Sequence, residues 1–309
     1  MFIRQFSYLV ALAREKHFAR AAAACNVTQP TLSAGIQKLE RELGLPVIER
    51  GHQFIGLTPE GERVLNWAHR IIADFDGLRQ DLANFGKGLA GTLRLGVIPA
   101  ALPAVSLLTG PFSARHAGVT VQVQALTSIA IQRGLDSFDI DAGLTYLENE
   151  PLSQVRRLPL YTEHYLFVAK ETLLRSGGHG ARASLSWREA AGYPLCLLGS
   201  DMQNRRIINH ILGGIGIAVL PRIETNSFDG IAAHLRHGDC GSILPHSYCK
   251  TFGAADGMRA IPLVDPVRTQ MVGLVIADRE PLPPVAEAFL HFAATLQLDP
   301  WRLDTGDAA

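Results

Sequence analysis

The chain has 309 residues, of which 47% are hydrophobic and 19% charged, with 29 basic and 29 acidic side chains. That length suits two or three domains with a sizeable core. The balanced charge excludes a uniformly basic nucleic-acid coat, and no apolar run approaches the roughly 20 residues of a membrane span. Arg14, Glu15 and Lys16 interrupt the first apolar stretch, so it does not read as a signal peptide and a cytoplasmic protein is expected. Cys25, Cys196, Cys240 and Cys249 show no C-x-x-C or Cys/His spacing. Free thiols, no metal and no cofactor are therefore expected.

Charge is not evenly spread. Residues 1–58 hold seven Lys/Arg against four Glu, a mildly basic head that permits phosphate binding. Phe2, Phe6, Leu9, Val10 and Ala13 fall on one face of a helix over 2–15. A short helix follows in "FARAAAAC", then a turn at Asn26-Val27, then "TQPTLSAGIQKLEREL". Thr28 is a natural N-cap and Pro30 fits the first turn, where its missing N–H costs nothing. Leu32, Ile36, Leu39 and Leu43 make one buried stripe, and Gly44 and Pro46 end the helix. The opposite face holds Pro30, Ala34, Gln37 and Arg41, flanked by Thr31, Ser33 and Lys38. A short helix, a tight turn and a capped helix with an uncluttered polar face form a helix-turn-helix, whose second helix enters the major groove by its N-terminal residues. Thr28, Gln29, Pro30, Thr31, Ser33, Gln37 and Lys38 are the candidate DNA contacts. Gly35 lies near the buried stripe, so it is expected to let a neighbouring helix approach, offsetting a helix-propensity cost of about 1 kcal/mol. In "VIERGHQFIGLT" two strand-like runs surround Gly51-His52-Gln53, a β-hairpin wing that adds Arg50, His52 and Gln53 to the candidate contacts. A plain helical hairpin within a larger core is the alternative for 17–44, but the order of parts favours a winged DNA-binding head.

The stretch "HFARAAAACNVTQPTLSAGIQKLERELGLPVIERGHQFIGLTPEG" resembles the winged head of LysR-type transcriptional regulators. The shared features are Phe-x-x-Ala-Ala, the Thr-Gln-Pro-x-Leu-Ser helix start, Ile-x-x-Leu-Glu, "ELG" and "LTPEG", and the resemblance runs through residues 1–90. Two positions depart from it. Ala34 stands where a long polar residue is frequent, and Gln53 where the wing commonly has Arg. Both lower the expected number of charged DNA contacts.

From Pro59 onward the apolar residues Val64, Ala68, Ile71, Phe75, Leu78, Leu82 and Phe85 alternate four and three apart. That is a three-heptad seam. It predicts either a helix lying on its own domain or a dimerising helix, and the resemblance implies the latter. A homodimer would present two reading helices to an interrupted palindrome in double-stranded DNA. The resemblance also implies a dimer of dimers, and contact with RNA polymerase if the protein activates. "GKGLAG" (86–91) reads as a linker.

The remainder predicts an α/β body. Strands are expected in 91–100, 119–126 and 139–147 with a helix at 128–138, a right-handed parallel arrangement that places a ligand beyond the strand ends at Ile98–Ala101, Thr127–Ser128 and Thr145–Tyr146. A second strand set begins at 164–170 and 193–200, followed by a helix capped by Ser200 or Asp201. Strand ends are expected at 214–221 and 240–247, a returning strand at 269–277 and a closing helix at 283–296. Two crossovers, near 161–164 and 264–268, resemble the two-lobed periplasmic-binding-protein architecture, also implied for a LysR effector domain. The expected division is 1–58 head, 59–90 linker helix and hinge, 91–162 with 268–309 lobe I, and 163–267 lobe II.

No phosphate loop, nucleophile elbow or zinc-protease motif is present, so an enzyme is not expected. Ser128 and Ser200, each expected to open a helix, suit a small polar or anionic effector. Carried over residue by residue, the resemblance implies a pocket at Pro99, Ala100, Ser128, Tyr146, Ser200, Asn204 and Arg205. Some acid-binding members place Arg where Tyr146 stands. Peroxide-sensing members carry their cysteines in the segment corresponding to 199–210, which has none here, and Cys240/Cys249 is the remaining redox pair. The principal reading is thus a ligand-responsive transcriptional regulator. The alternatives are a solute-binding-protein-like ligand sensor, a redox sensor, and an enzyme with a regulatory head.

Overall fold

The computed structural model describes residues 3–50, 54–84, 88–148, 152–249, 257–296 and 298, with Arg50, Ala83, Asn84 and Cys249 described by backbone alone. Phe2, His52, Gln53 and Phe85, named above, lie outside the described residues. The head consists of α1 (Ile3–Glu15), α2 (Phe18–Ala24), α3 (Gln29–Leu43) and a hairpin of β1 (Ile48–Arg50) and β2 (Phe54–Leu57). Thr28 caps α3 by accepting the Thr31 N–H, and Gly44, at a φ of 72°, ends it. Phe6, Leu9 and Leu12 of α1 are buried against Leu32, Ile36 and Leu39 of α3. At Gly35 an added Cβ would lie 2.5 Å from Cδ2 of Tyr8, so the close approach of α1 requires the missing side chain. The buried Glu40 carboxylate accepts the N–H groups of Val47 (3.0 Å) and Ile48 (3.3 Å), tying α3 to the hairpin.

Helix α4 (Pro59–Asn84) runs for 26 residues. Gly61 lets its first turn seat against the Val47 carbonyl. Its apolar residues divide between two tasks. Ala68 is fully buried in the head's own core, with Val64 and Ile71 packed beside it. Phe75, Leu78 and Leu82 are exposed, and so is Trp67. The expected seam is corrected accordingly: Ala68 is consumed within one chain because α4 completes the head, and Trp67 joins the outward face.

The body begins with β3 (Ala90–Val97), a 3-10 turn at Pro99–Ala101, α5 (Leu102–Arg115), β4 (Gly118–Ala125), α6 (Ser128–Asp136) and β5 (Ala142–Tyr146). Strands β4, β3 and β5 are parallel. The long strand β6 (Val155–Lys170) then serves two lobes. Its residues 155–164 pair antiparallel with β12 (Thr269–Ala277), which adjoins β5. Its residues 165–170 pair with β10 (Ser242–Pro245) and β11 (Met258–Val264). Around that second part lie α7 (Glu171–Ser176), β7 (Leu185–Ser186), α8 (Trp187–Ala191), β8 (Cys196–Leu198), α9 (Gln203–Gly214), β9 (Ile223–Thr225), α10 (Phe228–His237) and α11 (His246–Cys249). Helix α12 (Pro284–Ala294) packs on lobe I, with Phe289 edge-on to Phe112.

Two further expectations are corrected. Residues 214–221 form no strand. Gly216, at a φ of 76°, turns the chain outward, Leu220 is 95% exposed, and the strand is β9. Neither Ser200 nor Asp201 caps α9. The Met202 N–H bonds back to the Gly199 carbonyl (3.0 Å), so a turn occupies those positions and the helix starts at Gln203.

Lobe I touches the linker helix. Arg279 reaches Asp74 of α4 at 3.1 Å, and its guanidinium lies 4.3 Å above the ring of Phe138, in the loop after α6. Arg94 holds Asp141 in the same corner.

Candidate functional site

Two regions gather the candidate residues. On α3, Thr28, Gln29, Pro30, Thr31, Gln37 and Lys38 are exposed and Ser33 is half-buried. Ala34 is exposed between them. This is a polar face that begins at the helix N-terminus, with the small Ala34 at its centre.

The second region is the cleft between the lobes, about 270 Å³ counting its mouth. Ile98, Pro99, Ala100, Thr127, Ser128 and Tyr146 line it from lobe I, and Leu198, Met202, Gln203, Asn204 and Phe228 from lobe II. The walls nearly meet, and the interior has room for about one water molecule. Helix α6 enters with Thr127 as its cap, accepting the Ala130 N–H at 3.2 Å. Ser128 is thereby freed from capping, and its Oγ is buried without a hydrogen-bond partner. Helix α9 enters from the other wall with Gln203 in its first turn. Gln203 is 6% exposed, and neither its amide nitrogen nor its oxygen has a partner. The first N–H groups of both helices lack intrahelical acceptors, which leaves a positive potential on each wall.

Behind the cleft, the Tyr146 hydroxyl donates to Glu163 Oε1 at 2.6 Å and accepts from Asn204 Nδ2 at 3.3 Å. Burial pushes the Glu163 carboxyl up to about 8, against the opposing pull of the Tyr146 and Tyr165 hydroxyls. Burial also raises Tyr146 well above the usual phenol range. Tyr248 and Ser247 of α11 donate to the carbonyls of Pro99 (2.7 Å) and Ala100 (3.1 Å), joining the lobes beneath the pocket.

Of the effector residues expected from sequence, Pro99, Ala100, Ser128, Tyr146 and Asn204 come together here. Two do not. Ser200 is exposed in the turn before α9, away from the lining. Arg205 is buried but already engaged: its Nη1 pairs with Glu224 (2.6 Å) and with the Leu198 carbonyl (2.8 Å), while its Nε donates to Asn209. No Arg or Lys lines the cleft among the described residues. Sequence reasoning missed Gln203 and Glu163. Glu163 left a signal, an acid alternating with Tyr161 and Tyr165 on the inward face of an otherwise apolar strand.

The thiols offer little reactivity. Cys196 and Cys240 are buried neighbours in lobe II; burial pushes Cys196 up to about 12 and raises Cys240 as well. Cys249's side chain lies outside the described residues. No group of three or more His, Cys, Asp or Glu side chains among the described residues is placed to hold a metal. No helix of the described chain is long and apolar enough to cross a membrane.

Comparison with known proteins finds two family matches. Residues 3–62 match the bacterial regulatory helix-turn-helix protein of the lysR family, and residues 86–297 match the LysR substrate binding domain. The hydrogen peroxide-inducible genes activator of Haemophilus influenzae is 43% identical over 285 residues, covering 91% of this chain and 92% of that protein. An SDS degradation transcriptional activation protein from a Pseudomonas species is 30% identical over 295 residues, covering 93% of each. Among solved structures, a full-length OxyR variant from Pseudomonas aeruginosa superposes with a TM-score of 0.73 at 26% identity, over 96% of this chain and 98% of that one. CbnR complexed with its target DNA shares the fold at a TM-score of 0.64 and 20% identity, covering 95% and 99%.

Proposed function

Because the chain belongs to the LysR family of DNA-binding transcriptional regulators, we propose that its inter-lobe cleft senses a small carboxylate or comparable polar anion. The observation that carries this reading is the convergence of two helix N-termini, α6 and α9, on a cleft where the Ser128 hydroxyl and the Gln203 amide are buried without partners. Unpaired buried polar groups are costly, and an incoming carboxylate would accept from the Ser128 hydroxyl and from the Gln203 amide nitrogen. A tight cleft also favours coupling. A ligand larger than water must part the lobes, so it binds the opened arrangement better than the closed one, which is what shifts a population.

In this reading the protein works in the cytoplasm by binding rather than by catalysis, as a homodimer or dimer of dimers joined along the exposed face of α4. Residues 1–58 read an interrupted palindrome, 59–90 pair the chains, and the two body lobes, 91–162 with 268–309 and 163–267, hold the effector. The Haemophilus relative's name raises a peroxide response. The raised pKa values of Cys196 and Cys240 favour a non-covalent effector here instead.

The test is a gel shift on the DNA upstream of the protein's own gene, with and without a panel of small carboxylates. The expected result is a sequence-specific complex whose mobility or footprint changes with one of them. A thermal shift produced by neutral ligands alone would reject the anion.

A further inference from the structure

We propose that Glu163 is the charge gate of the cleft: as a neutral acid it lets a carboxylate settle against Tyr146, and once ionised it repels that ligand. This rests on the anion reading above. Glu163 sits where β6 passes from one lobe to the other, opposite Gln270 of β12, and is completely buried. One of its oxygens takes the Tyr146 hydroxyl, and Tyr146 lines the cleft, so a single phenol separates the carboxyl from a bound ligand. The other oxygen is buried without a well-formed hydrogen bond.

The groups facing it supply no cation. Tyr146 comes from β5, Tyr161 and Tyr165 from β6 itself, and Tyr248 from α11, and burial raises all four phenols above their ordinary range. His246 of α11 stands edge-on to Tyr161, and its Nδ1 accepts the His164 N–H at 3.0 Å. Asn204 and Gln270 are neutral. No Arg, Lys or His forms an ion pair with Glu163 among the described residues. A buried carboxyl without a counter-charge holds its proton, and burial places that proton's release at about pH 8. A carboxylate bound across Tyr146 raises the value further. Above pH 8, binding must therefore take up one proton, and affinity falls by up to about tenfold per pH unit. Simple carboxylates remain ionised throughout this range, so the dependence belongs to the protein.

The experiment is calorimetric titration of the full-length protein with a panel of monocarboxylates from formate to benzoate, between pH 6.5 and 9.5. It is run for the wild type and for Glu163→Gln, whose side chain is nearly isosteric and does not titrate. The wild type is expected to bind with constant affinity below pH 7 and with steeply weakening affinity and proton uptake above pH 8. Glu163→Gln is expected to show a flat profile, whatever its affinity at pH 7. A flat wild-type profile, or a pH dependence that survives in Glu163→Gln, overturns the gate while leaving the carboxylate reading intact. Binding of the corresponding amides but of no carboxylate overturns the reading and the gate with it. An independent readout needs no ligand. The infrared carbonyl band of a protonated carboxylic acid is expected at pH 7 in the wild type, and its loss in Glu163→Gln assigns it; its absence from the wild type also overturns the proposal.

Discussion

Replacing Gly35 by Ala sets two effects of known size against each other. A glycine inside a helix is worse than alanine by about 1 kcal/mol, so intrinsic propensity alone predicts stabilisation. The structure predicts the reverse. The new methyl would lie 2.5 and 2.7 Å from two ring carbons of Tyr8, a buried side chain of α1. Relieving such overpacking typically costs about 1–3 kcal/mol. Because the clash involves two ring atoms held in the core, the upper half of that range applies, and the net change is a loss of roughly 1–2 kcal/mol. Gly77 supplies the control: it lies within α4, and nothing stands within 4 Å of an added methyl. Gly77→Ala should stabilise by up to about 1 kcal/mol. Urea unfolding followed by circular dichroism measures both, with the midpoint rather than the slope expected to move. A double-mutant cycle completes the test: in a Tyr8→Ala background, the penalty at Gly35 should vanish. Equal stabilisation by Gly35→Ala and Gly77→Ala would show that α1 and α3 are not held as close as described, and the reasoning would fail.

Other outcomes follow from the same structure. Gln29→Ala should relax discrimination at one base position by about 1–3 kcal/mol, measured by competition gel shifts; an equal loss on every sequence would make Gln29 a phosphate contact. Charged replacements at Phe75 and Leu82, both exposed on α4, should yield monomers by light scattering and weaken operator binding. Ser128→Ala should weaken carboxylate binding by about 1.5–3 kcal/mol without lowering the melting temperature, since its hydroxyl has no partner to lose. The Glu163 carboxyl has a folded value near 8, above its unfolded value, so the folded state holds an extra proton between the two. Stability from this group is complete below about pH 4.5 and is lost as pH rises to about 8, by at most about 5 kcal/mol. Glu163→Gln should flatten that part of the stability profile.

What could be read from sequence was local. Thr28, the Leu32/Ile36/Leu39 stripe and Gly44 specify α3 through capping, period and φ, each decided within a few residues of itself. The strands β3, β4 and β5 announced themselves likewise. Misreadings arose where distant residues decide. Arg205 looked like a free cation, but Glu224, nineteen positions away, claims it. Ser200 is the local exception: it looked like a helix cap, but a turn closed by its near neighbours Gly199 and Met202 moves the helix start and brings Gln203 to the cleft. The heptad pattern of α4 was evident, yet it could not distinguish the part covered by the chain's own head from the part left outward. Glu163 was visible as an acid on an inward strand face, but its partner Tyr146 lies on another strand.

The contact between Arg279 and Asp74 gives α4 the mechanics of a lever. From Asp74 back to Pro59 the helix spans fifteen residues, about 22 Å at 1.5 Å each. A tilt of roughly 9° about that point carries the head through about 3.4 Å, the rise of one base step along a DNA strand. The other side of the contact is the Phe138 loop at the end of α6, and α6 begins at the cleft with Ser128. Helix α6 thus joins the cleft wall at Ser128 to the loop whose Phe138 ring lies under Arg279, so one unbroken run of contacts leads from the cleft to the point on α4 where a small tilt moves the head by a whole base step.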